Sequence, residues 1–438
     1  MERFSSYHGK TDVYVKNPNY VQMTREKAHF LLIVLGLLMP LAMTAQRHEI
    51  FNDRIASLQV VSGNNWLSPP VTTLGGAPIH ISFDDQTHDY HRYTYRLEHC
   101  EADWSVSEDL FVNDYIEGFT EGNIIEDIEE SLNTNVLYTH YRLSIPNEHC
   151  RLKMSGNYRL TVLDDNNDEE PMFTACFMVV EPRMSVSLNV TTNTDIDINH
   201  SHQQVGMVVS YAGINVTNPS AQIKTVVMQN GRWDNAVVNA RPQFTMSESM
   251  KWEHCRDLIF DGGNEYRKFE VLDTDHPSMG VDKIKWDGEL FHAFVFPDER
   301  RPNYLYDEDA NGCFYIRNSD NVENDRISDY VMVHFQLFSD KYDNGEVYLN
   351  GVWTNDRFLP RYLMEYDYAK GCYEGAVLLK MGYYSYQYLL LDDACIPHVL
   401  PSEGNFFETE NQYQALVYYR EPGGRTDQLL GYQQVKTR

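Results

Sequence analysis

Alternation of apolar and polar residues with a period of two constrains this chain more than any other feature. Ile79, Ile81 and Phe83 alternate with His80 and Ser82; Tyr93, Tyr95 and Leu97, then Tyr141, Leu143 and Ile145, then Tyr158, Leu160 and Val162 repeat the pattern. Successive side chains of a strand point to opposite faces, so each run reads as a strand with one face in a core. A chain of 438 residues holds about three such units at roughly 100–150 residues each. The expected fold is all-β, a tandem array of immunoglobulin-like β-sandwiches.

Polar clusters place the boundaries. The first unit is expected over residues 46–182, ending at Glu181-Pro182 after the strand Cys176–Val180. One short helix is expected in it, with Ile124, Ile125, Ile128 and Leu132 on one side. The second, 183–320, opens with Val186, Leu188 and Val190, turns at Asn230-Gly231 (a strong hairpin signal), and runs through Phe291–Phe296. Asn318–Asp325 reads as a linker to a third unit, 321–438, which takes in Val331–Leu337, Val347–Leu349, Ala376–Leu379, Tyr384–Leu390 and Leu416–Tyr419.

Three stretches place glycine two residues before a strand tyrosine: Gly156-Asn157-Tyr158, Gly371-Cys372-Tyr373 and Gly382-Tyr383-Tyr384. An immunoglobulin-like corner uses this spacing, with the hydroxyl bonding back to nearby backbone. No repeat of the solenoid kind occurs.

The only long apolar run is Phe30–Leu38, extended to Met43 and preceded by Arg25 and Lys27. Charged, apolar and small residues in that order form a secretory signal, and the 14 residues Phe30–Met43, broken by Pro40, fall short of the ~20 of a membrane span. Residues 1–45 are therefore read as a leader with translation starting at Met23 and cleavage after Ala45. No cysteine follows the run, so no lipid anchor is expected.

The net charge of −28 disfavours nucleic acid and anionic membranes as partners. Seven cysteines, at 100, 150, 176, 255, 313, 372 and 395, form no C-x-x-C pair, and any disulfide connectivity is open. Glu-His-Cys occurs at 98–100, 148–150 and 253–255, but adjacent strand residues face opposite ways, so His99 and Cys100 read as structural. Asp307-Glu308-Asp309-Ala310-Asn311-Gly312 matches the start of a calcium loop, yet its twelfth place is Asn318, so it reads as a hairpin turn with Gly312 at positive φ. Asp164–Asp168 reads as a solvated turn. Nucleophile elbow, H-E-x-x-H and phosphate loop are missing, so no catalytic, cofactor or metal residue is assigned.

Several phrases in order carry a family resemblance: Ser82-Phe83-Asp84-Asp85, Tyr95–Trp104, Glu117-Gly118-Phe119, Asn133-Thr134, Tyr138–Tyr141, Ser155–Tyr158, Gln229-Asn230, Gly262–Arg267 and Asp329-Tyr330. Together they resemble the plug proteins of the bacteroidete type IX secretion system. The resemblance implies a non-enzymatic periplasmic protein that closes the periplasmic mouth of a large outer-membrane translocon barrel, its partner. Val347–Gly351, Gly375–Leu379 and Gly382–Tyr386 are similar to the glycogen-binding early-set sandwich, which raises carbohydrate binding by the C-terminal unit as the alternative. The turn Gly351-Val352-Trp353 sets tryptophan two places after glycine, with Asp356 and Arg357 near where that family's tryptophan belongs, so Trp353 and the Tyr384/Tyr386/Tyr388 stripe read as core or interface. Amino-terminal sequencing of the mature protein checks the leader: it should begin at Gln46.

Overall fold

The computed structural model describes residues 48–437. The leader expected over 1–45, with its start at Met23 and its cleavage site, lies outside the described residues. The regular secondary structure of the described residues is nearly all strand, arranged as three β-sandwiches.

The first sandwich packs the sheet Ile55–Ser62, Ile79–Asp85, Thr139–Ile145, Asp127–Glu130 against one whose long strands are Glu170–Val180, Gly156–Asp164 and Tyr93–Cys100. Alternation places Phe83, Tyr93, Tyr141 and Phe173 between the sheets, with ring centroids 4.7–5.6 Å apart. The residues expected to form a helix are strands instead: Asn123–Ile124 pairs with Tyr93–Cys100, and Asp127–Glu130 with Thr139–Ile145. Ile125 is buried and Ile128 packs on the core, so apolar spacing that also suits a helix serves two short strands.

The second sandwich sets Ser185–Thr191, His202–Ser210 and Ser249–Trp252 against Val237–Val238, Ile223–Gln229, Gln412–Tyr419 and Gln428–Lys436. Asn230 and Gly231 both take positive φ, as expected for the turn, and the returning strand starts at Val237. The last two strands of this sandwich come from the C-terminus. The third sandwich is a ten-stranded sheet, running from Arg267–Val271 through Gly382–Leu391 and Tyr330–Phe338 to Val281–Trp286. Phe269 on one part of it meets Phe335 on another at 5.5 Å, across a shared core.

Strand pairing thus departs from the consecutive units expected at 183–320 and 321–438. Leu416–Tyr419 pairs with Ile223–Lys224–Thr225–Val226 of the second sandwich, while Phe291–Val295 pairs in parallel with Tyr330–Phe338 of the third. Asn318–Asp325 is an internal turn of the third sandwich, where Asn318 is buried and bonds Val322. The third sandwich is an insertion in the second. Insertion suits a chain whose two crossings run side by side: Gly263 N donates to Asn405 Oδ1 (2.8 Å), and Asn411 Nδ2 to the Gly262 carbonyl (2.7 Å). Gly262 is required there, since a Cβ would stand 2.1 Å from the Phe406 carbonyl oxygen.

Two of the three tyrosine corners form. Tyr158 donates to the Met154 carbonyl at 2.7 Å and Tyr384 to that of Lys380 at 2.6 Å, while Tyr373 instead accepts from Tyr342 N at 2.7 Å.

Removing residues 411–438 should therefore unfold the second sandwich, not trim the third. Limited proteolysis checks this: the truncated chain should be cut first between residues 184 and 261, and the intact chain should not.

Candidate functional site

A buried polar cluster joins the first sandwich to the third. Asp84 lies near the end of a strand of the first sandwich, directly opposite His140; Tyr330 and Lys380 are directly opposite one another in the third. The two cross-strand pairs face each other. Lys380 Nζ, Tyr330 Oη and His140 Nδ1 each lie 2.6 Å from a carboxylate oxygen of Asp84. Ser57 adds a hydroxyl bond to Tyr330 (2.7 Å), and Lys380 also donates to the Asp325 carbonyl (2.7 Å) and sits 4.0 Å over the Tyr138 ring. The side chains of Lys380 and Asp84 are 1% and 0% exposed, so neither charge reaches water. Burial alone would push the Asp84 carboxyl up; the Lys380 ammonium and the His140 bond outweigh it and hold it below the usual carboxylate range. Asp329, next in chain to Tyr330, accepts from the backbone N–H of Asn135 and Val136 at 2.8 and 2.9 Å.

First and second sandwiches meet differently, through an apolar seam. Phe173, Ala175, Phe177 and Val179 fill the first core, while the alternate Cys176, Met178 and Val180 pack on Val226, Met228, Leu416, Tyr418 and Leu429. Trp104 meets Trp233 edge-on at 5.7 Å within it. Charge rims the seam: Asp427 receives Lys224 at 2.7 Å and Arg420 at 2.9 Å, and Arg420 also reaches Glu101 at 2.5 Å. Where all three sandwiches converge, a cavity of about 130 Å³ remains, lined by Leu58 and Trp66 of the first, Met228 and Trp233 of the second, and Phe314 and Val352 of the third.

The residues singled out in sequence are distributed, not gathered. His99 is buried, with Nδ1 2.9 Å from Ser107 Oγ and Nε2 3.2 Å from the Ser155 carbonyl; burial pushes it down to about 4, which keeps it neutral. Cys100 points to the opposite face, into the seam, and its thiol is pushed up to about 12 by burial. Cys150 lies in the first core and Cys255 in the second, whereas His149 is exposed beside Glu148 and His254 reaches Asp195 at 2.9 Å. Among the described residues, Cys100, Cys150, Cys255, Cys313, Cys372 and Cys395 form no disulfide. In the turn at 307–312, Asp307 pairs with Lys268 (2.6 Å), Asp309 accepts from the backbone N–H of Tyr266 and Asn311, and Gly312 takes φ +84°. Among the described residues, no three His, Cys, Asp or Glu side chains converge as metal ligands. Trp353, Tyr384, Tyr386 and Tyr388 are buried in the third core, where Tyr386 and Tyr388 donate to Asp298 at 2.8 and 2.7 Å; they offer no platform for a sugar.

The phrases that carried the family resemblance meet at these junctions: Asp84, Tyr138 and His140 with Tyr330; Glu101 and Trp104 on the seam; Gly262–Asn264 at the crossings. The family model described as type 9 secretion system plug protein 1st domain matches residues 55–181, which is the first sandwich. A crystal structure of a hypothetical protein from Parabacteroides merdae is 38% identical, with TM-score 0.87, covering 90% of this chain and 100% of that one. This chain belongs to the type IX secretion system plug family. A partial N-terminal region of enterococcal surface protein aligns at 8% identity and TM-score 0.18, covering 90% of this chain and 95% of that one. Dimeric latent PorU from Porphyromonas gingivalis aligns at 9% identity and TM-score 0.13, covering 89% of this chain and 34% of that one. No curated protein matches. Among the described residues, no helix of this plug-family chain is long and apolar enough to cross a membrane.

Sequence reasoning missed Lys380 and the cavity. Lys380 did leave a signal, a cation ending the apolar run Ala376–Leu379 of a strand, where a buried lysine demands a carboxylate partner. Lys380→Met strands the Asp84 carboxylate and should cost about 3–5 kcal/mol, with the double variant Lys380→Met/Asp84→Leu recovering part of it; urea denaturation measures both. A second outcome follows from His99. Its folded value lies below its unfolded one, so the unfolded chain binds the extra proton and stability should fall as pH drops from about 6.5 to 4, by up to ~1.4 kcal/mol per pH unit. His99→Gln should flatten that part of a pH series of melting temperatures.

Proposed function

We propose that this protein is a non-catalytic periplasmic component of the type IX secretion system that closes the periplasmic opening of the outer-membrane translocon barrel. The observation that carries the reading is the first sandwich, whose sequence matches the family's first domain and whose surfaces bind the other two sandwiches into one block. A plug must hold its shape against an opening, and shape is held here by two means. The apolar seam supplies cohesion between the first and second sandwiches, and the buried Asp84–Lys380 pair ties the first to the third. The seal itself would be a broad face with aromatic anchors in a polar rim, of roughly 1,200–2,000 Å² in total. Exposed apolar side chains suited to such contacts include Phe111 and Phe119 on the first sandwich and Leu305 on the third.

The test is affinity purification of the mature protein from envelopes under mild detergent. It should bring down one very large outer-membrane barrel. Recovery of no barrel sinks the reading.

A further inference from the structure

The cavity at the meeting of the three sandwiches is a built feature that the packing does not account for. Its volume, about 130 Å³, is close to that of an apolar cavity of ~150 Å³ that admits benzene, so it holds one aromatic or branched side chain. Trp66, Trp233 and Phe314 form ring walls. The polar part of the lining is largely amide, from Gln59, Asn230, Asn311, Asn350, Gln412 and Gln414. The charges at the site are already engaged: Arg232 holds Asp234 through two bonds of 3.1 and 2.5 Å, Asn350 Nδ2 lies 3.3 Å from Asp356, and burial keeps His48 neutral, pushed down to about 4. In a chain of net charge −28, a lining of this kind selects an uncharged occupant.

Two further observations say what kind of occupant. Asn311 Oδ1 is buried in the lining without a hydrogen-bond partner, an acceptor waiting for a donor. Among the described residues, Ile55–Ser62, which contributes Leu58–Val61 to the wall, is the edge strand of its sheet, paired only with Ile79–Asp85. An edge strand presents backbone groups to an added extended segment, and a cavity beside it takes a side chain of that segment.

We propose that the junction cavity is an anchor pocket for one apolar side chain carried on an extended, uncharged peptide segment of a partner protein, whose N–H group bonds Asn311 Oδ1. The pocket would then be a small, deep contact within the broad face of a plug, where a single desolvated side chain contributes disproportionately to binding. Because its walls come from all three sandwiches, it exists only while they are locked together. Only the identity of the partner rests on the plug reading; the pocket chemistry does not.

N-acetyl-L-phenylalaninamide, titrated into the mature protein with tryptophan fluorescence as readout, tests the inference, since Trp66 and Trp233 line the site. Saturable quenching is expected, with N-acetylglycinamide and N-acetyl-L-aspartamide at least about tenfold weaker. Val352→Trp, at a rim position that is 43% exposed, should occlude the pocket and weaken binding about tenfold or more at unchanged melting temperature. Asn311→Gly, which suits the φ of +48° there, should weaken it about threefold to tenfold by removing the acceptor. No saturation with the phenylalanine amide, equal binding of the glycine amide, or undiminished binding by folded Val352→Trp overturns the pocket. Barrel capture separates the two readings. If wild type and Val352→Trp capture the barrel equally, the anchor role fails and the plug stands; if wild type captures none, the plug reading fails whatever the amides do.

Discussion

Strands with apolar residues on both faces cannot stop at one sandwich. Glu170–Val180 feeds Phe173, Ala175, Phe177 and Val179 into the first core and leaves Cys176, Met178 and Val180 on the reverse. Gln412–Tyr419 does the same in the second sandwich, with Tyr413, Ala415 and Val417 inside and Leu416 and Tyr418 behind. Laying the two reverse faces together removes both from water at once. At ~25 cal/mol per Å² of apolar surface, a seam of this kind outweighs any single polar bond across it. The Asp427–Arg420–Glu101 charges border that contact.

The third sandwich is held on different terms. Its contact with the first turns on an ammonium and a carboxylate withdrawn from water. Such a pair adds little net stability compared with well-packed apolar residues, because desolvating both ions offsets most of their attraction. What it does impose is geometry. Asp84 accepts from Lys380, Tyr330 and His140, and a displacement of an ångström or two would strand a charge in the interior. The apolar seam therefore supplies cohesion and the buried pair supplies alignment, a combination suited to a block that must fit one opening.

Much of the strand content was legible in the sequence. The alternation at 79–83, 93–97, 141–145 and 158–162 gave real strands with the expected residues inside, and Asn230-Gly231 and Gly312 gave turns at positive φ. The tyrosine corners at Tyr158 and Tyr384 followed from glycine spacing, whereas Tyr373 shares the spacing and bonds elsewhere, to Tyr342. Residues 123–132 misled because isoleucines three and four apart satisfy a helix as well as two short strands separated by a kink. The candidate site was half visible: Asp84, Trp104, Gly262 and Tyr330 stood in family phrases, while Lys380 and the cavity walls stood in none.

By itself, then, the sequence determined local pattern: which residues alternate, where the chain turns, and that the protein would be sandwiches of the plug family. Only the tertiary structure decided which strands share a sheet. Periodicity reports which face of a strand is buried and carries no information on what buries it, so the C-terminal hairpin read as part of its neighbour in sequence. In space it completes a sandwich begun some two hundred residues earlier, with Gln229 opposite Tyr413. Burial of charge was equally a tertiary decision, because a lysine at the end of an apolar strand meets its carboxylate only when two separate bodies close upon it.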